Sequence, residues 1–350
     1  MKKINLAIVF GGASPEHEIS LKSCAGVYRG LGKEKYNITL VGITKSGEWY
    51  YLPDVSADDI ESGEWQQKEK VLCAFSPNRK CPGIILVENG KILPIDVVFP
   101  VMHGENAEDG RFQGMCELAD IPCVGPRSTA SAVCMDKALT KLVVEKTGIR
   151  QADWVLVTKK TYSDNTAISE IENKFSYPVF VKPTATGSSV GAAKAENREE
   201  LRSALDSAIV YGGRVLVEEF IPAREIETAV LGNGEPTVSV CGEVLSETEV
   251  YSYESKYNST VSRTVIPAEL PEETSEKIRS YAKAIYEALD CRGLSRVDFF
   301  INKNTGEIVF NEINTIPGFT SISMYAKLLG ACGIEFSELL DRIIAYAMEE

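Results

Sequence analysis

The stretch SRVDFFINKNTGEIVFNEINTIPGFTSISM, residues 295–324, is the most informative part of this chain. Two strand-forming runs flank the turn-forming residues 302–306, and this pattern predicts a β-hairpin. Glu312 and Asn314 are two residues apart, so a strand presents both side chains on one face. The turn brings Asp298 roughly opposite them, although sequence alone does not define the register. The hairpin therefore predicts a cluster of oxygen-bearing side chains.

This cluster has the composition of a cation site. Two carboxylates that face each other across strands repel, and a cation between them turns the repulsion into attraction. Carboxylate and amide oxygens suit Mg²⁺, which keeps water and phosphate oxygens as its other ligands. The same spacing fits the polar outer face of a hairpin equally well. Both interpretations stay open on spacing alone.

The N-terminal part of the chain alternates short apolar runs with segments of helical spacing. Runs at residues 6–10, 38–43 and 97–101 predict buried strands, and residues 20–31 predict a helix. Strands that alternate with helices indicate a doubly wound α/β fold with a Rossmann-like parallel sheet. In such a sheet, ligands bind beyond the carboxyl ends of the strands.

The rest of the chain is predicted to form two further α/β regions. Its predicted elements are helices at 136–147, 198–210, 272–289 and 337–348, and strands at 154–158, 179–181, 214–220, 228–231 and 237–240. We expect three domains, with bounds 1–134, 135–226 and 227–350. Residues 247–263 form a long polar stretch without a clean period, which predicts a mobile loop that covers a site.

Composition restricts the classes of partner. Fifty acidic residues against 37 Lys and Arg give a net charge of -13, which argues against nucleic acid and anionic membranes as partners. The nine scattered cysteines form no C-x-x-C pair, so they predict neither a zinc site nor a disulfide framework. We therefore expect a reducing, cytoplasmic location.

Three further segments concentrate glycine with polar groups. KPTATGSSVG, residues 182–191, follows an apolar run and is a candidate phosphate cover, although a Gly/Ser segment is more often only a turn. It does not match the P-loop pattern. GGASPEHEIS at 11–20 and HGENAEDGRFQG at 103–114 each follow a predicted strand end. Helix capping by Ser20 and a structural role for His103 are the alternatives to a ligand site.

These segments, taken in order, resemble the ATP-grasp superfamily, and in particular D-alanine:D-alanine ligases and their D-alanine:D-serine relatives. The resemblance covers nearly the whole chain and is carried by eight motifs, GGxSxEHEIS, HG…EDGxxQG, MDK…TK, KP…GSSVG, EEFI…REIE, YESKY, RVDFF and NEINTIPGFTSISM. It implies an ATP-grasp fold of three domains, in which the central and C-terminal domains hold ATP and the N-terminal domain contributes to the substrate site.

The resemblance also implies an activity. Two D-alanines would be ligated to D-alanyl-D-alanine through D-alanyl phosphate, with ATP and two Mg²⁺ ions, or Mn²⁺ in their place, for peptidoglycan precursor synthesis. D-serine is the alternative second substrate. A homodimer is implied by the resemblance only. A non-catalytic ATP-grasp regulator is a competing hypothesis, and a nicotinamide-dependent dehydrogenase is a third, which lacks its glycine fingerprint.

Residue roles follow from the resemblance position by position. The residues matched to ATP contacts are Lys137, Lys182, Ser189, Glu218, Glu219, Phe220, Ile221, Glu225 and Lys256. Those matched to metal binding are Asp298, Glu312 and Asn314. Those matched to the substrates, to the oxyanion and to the triad that closes the loop are Glu16, His103, Ser188, Tyr257, Arg296, Gly318, Ser323 and Met324.

The second substrate is the least determined of these expectations. Met324 predicts an apolar subsite, which favours D-alanine over D-serine, although a core position would be the ordinary role of a methionine. An apolar pocket rejects an added hydroxyl by only ~100-fold, so D-serine stays an alternative. Tyr257 argues against D-lactate, because the depsipeptide-forming relatives place His in that region.

Overall fold

The computed structural model of the chain is organised around three β-sheets, of seven, four and five strands. It describes residues 2–164, 166–187, 190–246, 262–320 and 323–349. Within these residues, the sheets follow one another along the chain without exchanging strands. Each sheet therefore belongs to one continuous stretch of sequence.

The first sheet has the strand order β6-β5-β4-β3-β2-β1-β7. Its strands are β1 (Ile4–Gly11), β2 (Tyr36–Ile43), β3 (Trp49–Leu52), β4 (Val71–Ser76), β5 (Gly83–Leu86), β6 (Ile92–Pro94) and β7 (Val97–Val101). The three predicted strands are β2, β1 and β7, and these pair in parallel. The remaining pairs are antiparallel, which the sequence did not predict. The three parallel strands β2, β1 and β7 lie together at one end of the sheet, and most of their residues are buried, which accounts for their apolar runs.

Helices of the N-terminal region are α1 (His17–Gly30), α2 (Ala57–Ser62) and α3 (Arg111–Ala119), with a 3₁₀ turn at Glu64–Gln67. Helix α1 begins three residues before the predicted start at residue 20. Glu16 consequently stands at the N-cap of this helix, where the helix dipole favours a negative charge. The end of β1 and the start of α1 thus place a carboxylate at the carboxyl edge of the sheet.

The second sheet is antiparallel, with the order β10-β9-β11-β8. Its strands are β8 (Trp154–Thr158), β9 (Val179–Pro183), β10 (Ala193–Ala195) and β11 (Arg214–Glu219). The helices of this region are α4 (Ser128–Met135), α5 (Lys137–Val144), α6 (Lys159–Ser163), α7 (Thr166–Lys174) and α8 (Arg198–Ile209). Asp136 caps α5 by accepting from the backbone N–H groups of residues 138 and 139, so the predicted helix at 136–147 is confirmed in its first part. A 3₁₀ turn, Glu145–Thr147, completes it.

The third sheet is also antiparallel, with the order β14-β13-β12-β15-β16. Its strands are β12 (Ala223–Leu231), β13 (Thr237–Ser246), β14 (Ser262–Val265), β15 (Leu294–Asn302) and β16 (Ile308–Asn314). The helices are α9 (Glu272–Ala288), α10 (Met324–Gly330) and α11 (Phe336–Ala347). Helix α9 packs Ile278, Ala282 and Ile285 into the core beneath this sheet, as expected from its amphipathic spacing.

The predicted hairpin at 295–314 is confirmed as the β15–β16 pair. Asp298 stands opposite Glu312, and Arg296 stands opposite Asn314. The register shifts by one residue between Asp298 and Phe299, a β-bulge next to the acidic pair. The turn therefore aligns the side chains that the sequence placed on one face.

Two predictions about organisation stay untested. The loop expected over residues 247–263 lies almost wholly outside the described residues. The domain bounds 1–134, 135–226 and 227–350 also stay predictions, and the second boundary falls within β12. Among the described helices, none combines the length and apolar character that a membrane crossing requires.

Candidate active site

A row of carboxylates crosses the third sheet. Glu227, Asp298 and Glu312 occupy paired positions on β12, β15 and β16. Arg296 donates through Nε and Nη2 to the two oxygens of Asp298, at 2.8 and 2.7 Å, and its Nε lies 3.0 Å from Glu227. Asn314 donates its amide N–H to Asp298 at 2.9 Å. Two carboxylates, Asp298 and Glu227, thus share one guanidinium.

The charges around Arg296 keep it ionised. Burial acts to lower the pKa of Arg296, but the carboxylates of Asp298 and Glu227 outweigh it and hold that pKa well above its usual range. The row still carries more negative than positive charge. This surplus is what a divalent cation or a further ammonium group would neutralise.

The donor set fits Mg²⁺ better than a metal held by protein alone. Within the described residues, no three His, Cys, Asp or Glu side chains form a ready metal cluster. Asp298 and Glu312 supply two carboxylates, and Asn314 would supply its oxygen once its amide turns over. Mg²⁺ is commonly bound by one or two carboxylates together with water and phosphate oxygens. The site is suited to a metal that arrives with a phosphate ligand.

Lys137 joins this row to the glycine-rich segment. It begins α5, and its Nζ donates to the carbonyl of Thr186 at 2.7 Å and lies 4.0 Å from a carboxylate oxygen of Glu312. Its backbone N–H donates to the carbonyl of Thr184 at 2.8 Å. The start of α5, the segment after β9 and the end of β16 therefore meet.

A buried triad of charges lies beneath the second sheet. Glu218 forms an ion pair with Lys182 at 2.7 Å through one oxygen and with Lys141 at 2.8 Å through the other. Burial acts to raise the pKa of Glu218, but the two ammonium groups outweigh it, so the pKa is lowered. The sequence did not single out Lys141. Its only signal was the MDK…TK motif, in which Lys141 falls one helical turn after Lys137.

A third polar group surrounds Glu16. A Cβ added at Gly104, whose φ is +74°, would lie 2.4 Å from an oxygen of Glu16, and one added at Gly187 would lie 3.1 Å from it. Only glycine allows both backbones to approach this carboxylate so closely. The three segments at 11–20, 103–114 and 182–191 therefore converge.

His103 and Glu108 complete this group. His103 contacts Ser23 at 3.1 Å and the carbonyl of Ile316 at 3.2 Å through its two ring nitrogens. Burial lowers the pKa of His103, so the ring is neutral at neutral pH. Burial also raises the pKa of Glu108 to about 8, with the charge of Glu16 acting in the same direction. Glu108 lies within the motif HG…EDGxxQG, but no role was predicted for it.

Comparison with known proteins identifies this arrangement. The model for the D-ala D-ala ligase N-terminus matches residues 5–126, and that for the D-ala D-ala ligase C-terminus matches residues 143–345. The chain belongs to the D-alanine–D-alanine ligase family. The resemblance found in the motifs is thereby confirmed.

Individual relatives extend over the full chain. The D-alanine–D-alanine ligase of Clostridium acetobutylicum is 50% identical and spans 99% of this chain and 98% of its own length. That of Clostridium novyi is 48% identical, over 100% and 99% of the two chains.

Solved structures agree with this assignment. The VanG D-Ala:D-Ser ligase from Enterococcus faecalis has a TM-score of 0.90 and 37% identity, covering 99% of this chain and 100% of its own. The D-alanine–D-alanine ligase from Coxiella burnetii has a TM-score of 0.84 and 32% identity, covering 99% of this chain and 95% of its own. The predicted ATP-grasp fold is confirmed.

In this member of the ligase family, the residues that follow Glu218 in sequence make several different contacts. Glu219 pairs with Arg150 and accepts from the backbone N–H of Asp153 at 2.8 Å. The ring of Phe220 lies 4.6 Å from the ammonium of Lys194. The half-buried positions Ile221 and Glu225 follow, the latter on β12. These contacts do not test the predicted ATP roles.

The residues matched to the second substrate lie around the start of α10. The Oγ of Ser323 accepts from the backbone N–H of Thr320 at 2.9 Å, and a Cβ at Gly318 would lie 3.5 Å from that Oγ. Met324 is half-buried and packs against the apolar core, with its sulfur 3.2 Å from where a Cβ on Gly242 would stand. Its predicted contact with substrate therefore stays a prediction.

Four predicted site residues lie outside the described residues. These are Ser188, Ser189, Lys256 and Tyr257. Their roles in binding phosphate and in closing the loop stay as predicted from the motifs.

Proposed function

We propose that this chain is an ATP-dependent D-alanine–D-alanine ligase that forms D-alanyl-D-alanine for peptidoglycan precursor synthesis in the cytoplasm. One observation carries the proposal: the hairpin register sets Asp298 against Glu312, with Arg296 and Lys137 as the neighbouring cations. Relatives named for this activity, 50% and 48% identical over nearly the whole chain, support it.

The reaction needs an activated carboxylate, because a free carboxylate is a poor electrophile. Transfer of the γ-phosphoryl group of ATP to the first D-alanine gives D-alanyl phosphate and ADP. The amine of the second D-alanine attacks the acyl carbon, a C–N bond forms, and the C–O bond to phosphate breaks. The amine loses a proton, and phosphate leaves with the electron pair.

The cations of the site act on the transferring phosphoryl group. We propose that Lys137 and Lys182 contact the phosphates of ATP. We further propose that Asp298, Glu312 and Asn314 hold two Mg²⁺ ions, or Mn²⁺, whose charge neutralises the phosphate oxygens. Lys137, already 4.0 Å from Glu312, is held where it can serve both the metal site and the nucleotide.

Binding of the nucleotide base and ribose falls to the second and third sheets. We propose that Glu218 accepts from the adenine amino group and Glu225 from the ribose. Phe220 and Ile221 would line the base, with Glu219, Ser189 and Lys256 completing the nucleotide contacts. Glu219 is already held by Arg150, so its contribution would come through its backbone.

Oxyanion stabilisation falls to Arg296 and the backbone N–H of Gly318. An oxyanion donor of this kind is typically worth ~3 kcal/mol. Glu227, whose carboxylate lies 3.0 Å from Nε, would still hold Arg296 if Asp298 bound a metal ion. The guanidinium would therefore keep an anchor throughout the reaction.

The N-terminal segments are proposed to bind the first D-alanine. Glu16, enclosed by Gly104 and Gly187, would bind its ammonium, with neutral His103 alongside. Ser188 and Tyr257 would bond to Glu16 and close the loop, which excludes water from the acyl phosphate. Ser323 would bind the carboxylate of the second D-alanine, and Met324 its methyl side. Assembly as a homodimer is also a proposal.

D-alanine–D-serine ligation is the second candidate function. It is favoured by the similarity to the D-Ala:D-Ser ligase of Enterococcus faecalis, with a TM-score of 0.90. Against it stand the apolar Met324 and the higher identity to the relatives named D-alanine–D-alanine ligase.

The test is phosphate release from ATP and Mg²⁺ with D-alanine, with D-serine and with both, followed by mass identification of the products. D-alanyl-D-alanine from D-alanine alone, little changed by D-serine, is the expected result. A mixed D-alanyl-D-serine product would move the assignment to the second candidate. ATP binding without any dipeptide would contradict both and favour a non-catalytic regulator.

A further inference from the structure

Lys141 is a lysine that the fold has buried almost completely. Its side chain is 2% exposed, and its ammonium lies 2.8 Å from Glu218 and 3.1 Å from the carbonyl of Ala152. Taking an ammonium out of water costs several kcal/mol unless close partners compensate. Its two partners are a carboxylate and a backbone carbonyl, both of which are fixed by the second sheet and the segment before it.

Stability alone does not account for this arrangement. Glu218 already has a partner in Lys182 at 2.7 Å, and the two together would form a neutral buried pair. Lys141 adds a second ammonium, so the triad has two positive charges and one negative charge. An apolar side chain of similar length at position 141 would leave a balanced pair and avoid that cost.

The second ammonium, that of Lys141, would be needed if Lys182 left Glu218 for another partner. Lys182 is the last but one residue of β9 and leads directly into the glycine-rich segment, whereas Lys141 is held inside α5. A nucleotide phosphate would compete with Glu218 for Lys182. Once Lys182 moves, Lys141 remains the sole ammonium on Glu218 within the triad.

We propose that Lys141 is a positioning residue of the nucleotide site, which keeps Glu218 charged and in place while Lys182 turns to the phosphates. This inference rests on the proposed function, in which Glu218 accepts from the adenine amino group. Lys141 holds one oxygen of Glu218 and leaves the other, which Lys182 releases, for the base. Lys141 therefore contributes to selection of adenine without touching the nucleotide.

The test is Lys141→Met, which keeps the length of the side chain and removes its charge. It leaves the neutral Lys182–Glu218 pair, so we expect the variant to fold with an unchanged or slightly raised Tm. Lys146→Met is the matched control, because Lys146 lies five residues further along and is exposed. Calorimetry without D-alanine would give the Kd of ATP and of ITP, which has an oxygen in place of the adenine amino group.

The expected result is a loss of base selectivity. The ratio of ATP to ITP affinity should fall roughly tenfold or more in Lys141→Met, since a hydrogen bond to a charged group is worth about 1.5–3 kcal/mol. Lys146→Met should keep the ratio of the wild type, and Lys141→Arg should restore part of it. The KM for D-alanine should change less than about twofold, because the described partners of Arg296 are Asp298 and Glu227, which lie outside the triad.

Two outcomes overturn the inference. Equal weakening of ATP and ITP binding in the variant, with a lowered Tm, would mean that Lys141 only supports the fold. Equal affinity of the wild-type protein for ATP and ITP would mean that there is no base selectivity for Lys141 to support. Failure of the proposed function is distinguishable from both. In that case, ATP is still bound selectively by the wild type and less selectively by the variant, but no dipeptide forms.

Discussion

Asp298 and Glu312 stand opposite each other across the β15–β16 hairpin, and the cations beside them come from different parts of the chain. Arg296 lies two residues before Asp298 and binds both of its oxygens, whereas Lys137 reaches Glu312 from α5 at 4.0 Å. The two carboxylates therefore have different partners. Asp298 is tied to the guanidinium of its own strand, while Glu312 faces Lys137.

Glu312→Gln should impair metal binding without unfolding the chain. The amide keeps the shape of the side chain but loses the charge that attracts Mg²⁺. We expect the Mg²⁺ concentration for half-maximal phosphate release to rise by at least about tenfold. Titration of Mg²⁺ at saturating ATP and D-alanine measures this. Glu307→Gln, an exposed carboxylate on the turn of the same hairpin, is the control and should behave like the wild type.

Gly104→Ala should damage the site of the first D-alanine. The added Cβ would lie 2.4 Å from an oxygen of Glu16 and would also be forced into a left-handed backbone conformation. We expect the KM for D-alanine in the first position to rise by about tenfold or more, because Glu16 is displaced. Steady-state kinetics at saturating ATP provides the measurement.

Gly148→Ala separates the two effects of that substitution. Gly148 has φ +70°, close to the +74° of Gly104, but a Cβ there meets nothing within 4 Å. Both variants should lose about 1 kcal/mol of stability from backbone strain. Only Gly104→Ala should change the KM for D-alanine. An equal change in both variants would show that strain, rather than contact with Glu16, is responsible.

Glu108 should make stability depend on pH in a direction opposite to that of most carboxyl groups. Burial and the charge of Glu16 raise its pKa from 4.5 to about 8 in the folded chain. The folded state therefore holds a proton that the unfolded state has already lost between these values. Its contribution to stability is complete below pH 4.5 and is lost as the pH rises through about 8.

The comparison of Glu108→Gln with the wild type isolates this group. Between pH 5.5 and 8.5, the wild type should lose at least about 1 kcal/mol of unfolding free energy relative to the variant. Urea unfolding at several pH values provides the measurement. Glu105→Gln, an exposed carboxylate in the same segment, should follow the wild type. A difference that is constant with pH would mean that Glu108 is ionised throughout.

Met324→Arg should show whether residue 324 selects the second substrate. Met324 lies at the start of α10 beside Ser323 and packs against the apolar core, so a charged group would make this subsite polar. We expect the preference for D-alanine over D-serine, as the ratio of kcat/KM values, to fall by about tenfold or more. Lys327→Met on the same helix is the control, since Lys327 is exposed. Unchanged selectivity in Met324→Arg would remove Met324 as the selector.

Several features could be predicted from the sequence because local chemistry determines them. The β15–β16 hairpin follows from two strand-forming runs around a turn, and its period of two residues puts Glu312 and Asn314 on one face. The strands β1, β2 and β7 contain continuous apolar runs, because most of their residues are buried. The ordered motifs were sufficient to indicate the ligase family, which the full-length relatives confirm.

Only the tertiary structure shows which charged residues, far apart in sequence, form ion pairs with one another. Lys141, Lys182 and Glu218 are far apart in sequence, and no local pattern predicts that one carboxylate binds both lysines. Likewise, the approach of Gly104 and Gly187 to Glu16 depends on how segments of two different sheets meet. Sequence periodicity reports which face of an element is buried, whereas burial of a charge is favourable only when its partner is present in the folded chain. For that reason the motifs determined the family, and packing determined the electrostatics of the site.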